Sequence, residues 1–269
     1  MKKIVAFGDS FINYDWVDVG HNWVDYLGKH LNIPVVNYGI AASGLGYAMD
    51  SFVKYYQSSE YSSDDIIIFV ATSEQRLYTS NMYNPRLGAI GIHDNDMHNN
   101  TRSEIEKDWI KENKKFVLWA IMNIYDPAIN YELIKTLSFF KIWAESHLTN
   151  SVIILRAFSQ LPGNEHAEKL INMISPSKNF FPIINPNTSL GKIAMEEYAS
   201  NKLYAQHHEF LNGVDHRINH LSVQNRQNLA LMVSKLILTH DINCVDFSWV
   251  QKNIITSTSQ FESIPKDHH

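Results

Sequence analysis

The 269-residue chain is long enough for one large or two small domains, and its 45% apolar and 19% charged residues suit a protein with a sizeable packed core. A formal charge of −5 without any Lys/Arg block argues against nucleic acid as the main partner. The single cysteine, Cys244, excludes an intrachain disulfide, and the longest apolar runs, Ile66 to Ala71 and Phe116 to Met122, are far too short to cross a bilayer.

Lys2-Lys3 ahead of Ile4-Val5-Ala6-Phe7 has the flavour of a signal peptide, but Gly8-Asp9 cuts the apolar run short, so a first strand over Lys3 to Phe7 is the better reading. The expected location is therefore cytoplasmic or virion-associated, with no signal peptide. Trp23, Leu27 and Leu31 then recur at helical spacing, and Pro34 to Tyr38 reads as a second strand. Tyr47 to Tyr56 predicts a helix and Ile66 to Val70 a third strand without polar alternation. Unalternating strands joined by helices indicate a parallel sheet covered on both faces.

Residues 77–128 fit this alternation poorly. Tyr78 to Asn100 is rich in Asn, Asp, Gly and His without a period and reads as a long loop, and Arg102 to Asn123 looks helical. The whole stretch is expected to be an insertion that borders the site described below. A long amphipathic segment from Tyr131 to His147 leads into a fourth strand at Ser151 to Leu155, and Phe180 to Ile184 is a candidate fifth. Ser222 to Leu238 predicts the closing helix, with Ser222 as N-cap. Residues 1–245 thus read as one domain, and 246–269 as a polar, weakly patterned tail.

Two motifs carry chemistry. Gly8-Asp9-Ser10-Phe11 leaves the first strand, and Asn219-His220-Leu221-Ser222 precedes the closing helix. A serine hydroxyl is a poor nucleophile until an adjacent base takes its proton, and the pair need meet only in the folded chain. Together with Asn37-Tyr38-Gly39-Ile40-Ala41-Ala42-Ser43 after the second strand and Ala71-Thr72-Ser73-Glu74 after the third, they resemble the four blocks of the SGNH/GDSL hydrolases. The resemblance runs from Lys3 to about Leu238 and is similar to variant final blocks of phage-encoded and environmental members. It implies a three-layer α/β/α sandwich around a parallel, flavodoxin-like sheet. It also implies Ser10 as nucleophile, His220 as general base, and an oxyanion hole made by the backbone N–H groups of Ser10 and Ala42 with the side chain of Ser73. The competing reading is that Ser10 merely caps a helix and His220 sits in a polar surface turn.

This chain departs from the family pattern in three places. Ala42 stands where block two usually has Gly, which leaves the backbone donor intact. Ser73 stands where block three usually has Asn, so one rotatable hydroxyl replaces a positioned amide. The family's acid, three residues before the histidine, is Arg217 here, and Asp215 is the candidate for orienting the imidazole. The alternative is that Asp215 pairs with Arg217 or His216 at the surface, leaving a Ser-His dyad.

Arg76 follows block three and is a candidate to bind a substrate carboxylate or to brace an acidic side chain. His93-Asp94-Asn95-Asp96-Met97-His98 has ligand types without ordered metal spacing and reads as a solvated loop, so no metal is expected. Trp109, Trp119, Trp143 and Trp249 read as packing residues. The expected activity is hydrolysis of a small acyl ester, such as an O-acetyl group on a carbohydrate, through an acyl-enzyme. No cofactor, nucleic acid or membrane partner is implied. A catalytically weakened SGNH-like binding or structural module, in a virion, is the alternative that the altered third block and displaced acid favour.

Overall fold

The computed structural model describes residues 2–14, 19–40, 43–72, 76–77, 90–91, 129–147, 151–157, 169, 173–183, 189–191, 193, 221 and 223–247. Seven strands and four α-helices occur among them. The strands are β1 (Ile4–Phe7), β2 (Val35–Asn37), β3 (Ile66–Ala71), β4 (Arg76–Leu77), β5 (Ile90–Gly91), β6 (Val152–Arg156) and β7 (Phe180–Ile183). The helices are α1 (Trp23–Leu31), α2 (Leu45–Tyr56), α3 (Ile129–His147) and α4 (Val223–Thr239).

β2, β1, β3, β6 and β7 form one sheet in that order, and every pairing in it is parallel. Counted along the chain, this is the flavodoxin-like order. Every residue of β1, β3 and β6 is buried, which is why these strands show no polar alternation. Their side chains still alternate between two cores. Ile4, Ala6, Ile66, Ile68, Val70, Ile153 and Leu155 face α1 and α4, while Val5, Phe7, Ile67, Phe69, Ala71, Val152 and Ile154 face α2 and α3. The result is a three-layer α/β/α sandwich.

Handedness explains the layering. The chain steps outward from β1 to β2 and then back past β1 to β3, so right-handed crossovers put α1 and α2 on opposite faces. On the α2/α3 side the core is largely aromatic. Phe52 lies edge-on to Phe140 at 4.9 Å and to Trp143 at 5.0 Å, and Phe7 stacks on Tyr38 at 5.3 Å. Among the described residues the sheet ends at β7, an edge strand carrying Pro182.

One expectation needs correction. Ile90–Gly91, inside the stretch read as a loop, pairs antiparallel with Arg76–Leu77. Two residues a side are too few to show a hydrophobic period. The expected helix at 102–123, the rest of the insertion, the cap Ser222 and the tail beyond 247 lie outside the described residues. Among the described residues, no helix is long and apolar enough to cross a membrane.

Candidate active site

Reversal of winding direction beside β1 opens a crevice at the C-terminal ends of β1 and β3, where open α/β sheets hold ligands. Ser10 lies there. β1 ends at Phe7, and Gly8 takes φ +155° so that the chain can turn at once. A Cβ on Gly8 would meet the Val70 carbonyl oxygen at 2.9 Å, so the position excludes any side chain. The Asp9 carbonyl then accepts from the N–H groups of Ile12 and Asn13, both at 3.1 Å, closing a single helical turn. Ser10 is on that turn and 7% exposed.

The carboxylate of Asp9 is fully buried and organises the turn from within. One oxygen accepts from the Phe11 N–H at 3.2 Å, and the other from the Thr72 hydroxyl at 2.6 Å. Thr72 directly follows β3, so the first and third blocks are joined by a buried bond.

The second block is tied to the same turn. The Gly8 carbonyl accepts from the Ile40 N–H and from the Ser43 hydroxyl, each at 3.1 Å. The Asn13 amide donates to the Gly39 carbonyl at 3.1 Å, while the Asn37 amide donates to the Ile12 carbonyl. Asn37 also accepts from the Gly39 N–H at 2.8 Å. A Cβ on Gly39 would lie 2.4 Å from Ile12, so only glycine lets the two blocks close up.

The loop beyond the Ser10 turn returns to α1, where Asn22 is the N-cap and Asp25 answers with a bond from the Asn22 N–H at 2.9 Å. Asp25 also accepts from Tyr14 Oη at 2.6 Å and from the Gly20 N–H at 3.0 Å. Burial first, and the bond to Asp25 next, push the Tyr14 phenol above its ordinary pKa. Asn22 reaches back to the Asn13 carbonyl at 3.3 Å.

Leu221, beside His220 in sequence, is 2% exposed and shares a core with Phe11 and Ile12. Its carbonyl accepts from Arg226 Nε at 3.0 Å, and Nη1 of the same guanidinium donates to the His21 carbonyl at 3.4 Å. Leu221 is thereby tied to the segment ahead of α1, at the same end of the sheet as Ser10.

Of the predicted site residues, Ser10 is described in full, and Arg76 by its backbone in β4. Ala42, Ser73, Asp215 and His220 lie outside the described residues, as do His93–His98, Trp109, Trp119 and Trp249. Sequence reasoning passed over Asn13, Asn22 and Thr72, which brace the turn, and Arg226, which ties Leu221 to His21. It also passed over Arg156, which is 2% exposed at the C-terminal end of β6 and in register with Ala71. For Asn22 a signal existed, an amide cap followed three residues later by an acid; for the others there was none beyond polarity.

No protein-family model matches the sequence, nor does any curated protein. A crystal structure from Parabacteroides merdae, of a protein bearing the provisional name GDSL-like lipase, is similar at 12% sequence identity and a TM-score of 0.40, the match covering 88% of this chain and 98% of that one.

Proposed function

We infer that the chain is a serine ester hydrolase of the SGNH type, acting on a small acyl ester such as an O-acetyl group on a carbohydrate. The observation that carries this reading is the Ser10 turn itself, buried, fixed by both neighbouring blocks, and located at the switch point of a doubly wound sheet. Support also comes from the residues next to the remaining candidates. Ser43, beside Ala42, bonds to Gly8; Thr72, beside Ser73, bonds to Asp9; and Leu221, beside His220, is tied through Arg226 to His21.

In this reading Ser10 Oγ bonds to the acyl carbon while its proton passes to His220. The oxyanion is met by the backbone N–H groups of Ser10 and Ala42 and the hydroxyl of Ser73. Collapse breaks the bond to the alkoxy oxygen, which leaves with the proton from His220. Water then attacks the acyl-enzyme, with His220 again as base, releasing the acid and free Ser10. Asp215 orients the imidazole, and Arg76 is available to a charged substituent of the substrate.

Hydrolysis of p-nitrophenyl acetate and labelling by a serine-directed fluorophosphonate test the reading. The unaltered protein should turn over and label, and Ser10→Ala should do neither. Equal rates and equal labelling in the two proteins would reject it in favour of a non-catalytic module.

A further inference from the structure

Arg226 takes no part in the acyl-transfer steps, and its placement runs against helix physics. It is the fourth residue of α4, where the exposed N–H dipoles disfavour a cation, and the first turn of this helix contains no acidic residue to offset it. Only 6% of it is exposed, so its guanidinium has left water at a cost of several kcal/mol unless its donors are taken up. A local preference overridden at that cost marks a position held by a tertiary requirement.

The acceptors identify the requirement. Nε takes the carbonyl of Leu221, the residue after His220, and Nη1 takes that of His21, 205 residues away in sequence. His21 adjoins Asn22, whose amide grips the Asn13 carbonyl at the end of the Ser10 turn. One guanidinium thus joins the segment that leads out of His220 to the segment that leads out of Ser10.

We propose that Arg226 is a positioning residue that keeps the backbone of His220 in register with the Ser10 turn. The proposal rests on the Ser10–His220 reading above. A near-attack arrangement must be held closely, since a misplacement of about 1 Å can lower turnover about 100-fold. A planar fork can reach two carbonyls along separate directions, whereas the ammonium of lysine is a point charge on a flexible stem. Arg226→Lys therefore keeps the charge and loses the bridge.

Two measurements on the full-length protein test this. The first compares kcat and KM for p-nitrophenyl acetate in Arg226→Lys and Arg226→Gln. The second follows the imidazole proton resonance of His220 through a pH titration without substrate, assigned by its loss in His220→Asn. The expected result is a fall in kcat of roughly 30- to 300-fold in both variants with KM changed less than about threefold. The His220 titration curve should move in both, while the histidines remote from this edge keep theirs. Lysine is the milder change and serves where the glutamine variant fails to fold. An unchanged His220 titration in the folded lysine variant overturns the proposal, whatever happens to kcat. If the unaltered protein neither hydrolyses ester nor labels, the esterase reading fails by itself, and the titration still decides whether Arg226 holds the histidine.

Discussion

Replacing Gly8 by alanine is the sharpest test of how the Ser10 turn is made. The new Cβ would lie 2.8 Å from Val70 Cβ and 2.9 Å from the Val70 carbonyl oxygen, at a residue whose φ is +155°. The second contact is with the main chain of β3, which is paired to β1 through Ala6–Ile68 and Phe7–Phe69 and cannot swing aside. Backbone strain of this kind costs about 1–3 kcal/mol, and overpacking a buried site about as much again. Gly8→Ala should then lose roughly 3–5 kcal/mol, a large share of the ~5–15 kcal/mol that holds a typical domain. Any relief must come from moving residues 8–10, so kcat for an activated ester should fall about 100-fold in protein that is still folded. Urea unfolding gives the first quantity and steady-state hydrolysis the second. A variant within about 1 kcal/mol of the parent, with unchanged kcat, would refute the claim that the turn depends on glycine.

Thr72→Val keeps the shape and removes the donor to the buried Asp9 carboxylate, and should cost about 1.5–3 kcal/mol in the same urea assay. Asp215→Asn should lower kcat by about four orders of magnitude if Asp215 orients His220, and a near-unchanged rate would leave Ser10 and His220 as a dyad. Tyr14, Tyr38, Tyr55 and Tyr61 are all pushed above the ordinary phenol pKa, in each case mainly by burial. The folded chain therefore keeps protons that the unfolded chain releases above about pH 10, so stability is full below that point and falls as pH rises through it. Tyr14→Phe should cost about 1 kcal/mol at neutral pH through the lost bond to Asp25 and make the alkaline decline shallower. Urea unfolding at several pH values reads both.

The middle of the sheet was legible because β1, β3 and β6 are buried on both faces. Ile66–Ala71 and Val152–Arg156 carry apolar runs too short for a helix, and the 3.6-residue spacing of Trp23, Leu27 and Leu31 marked α1. The position of Ser10 followed from the first strand's end. Bracing of the turn did not follow, because Asn13, Asn37, Thr72 and Arg226 are single polar residues without a period, and their partners are set by the closed fold. Arg156 was missed for a related reason. An arginine ends an apolar run in sequence, while in the sheet it completes β6 and is buried.

Apart from those made by the Asp9 carboxylate and by the Asn37 oxygen, several ties around Ser10 share one polarity. Side chains of Asn13, Asn22, Asn37 and Arg226 donate, and the acceptors are main-chain carbonyls of Gly39, Asn13, Ile12, Leu221 and His21. A carbonyl survives any substitution at its own residue, whereas a side-chain donor does not. Sequence drift should thus be lopsided across this edge. Exposed His21 can change while still offering its carbonyl, whereas Asn37 and Arg226 are fixed points of this end of the sheet. That asymmetry lets the residues around the Ser10 turn vary while the turn itself stays where it is.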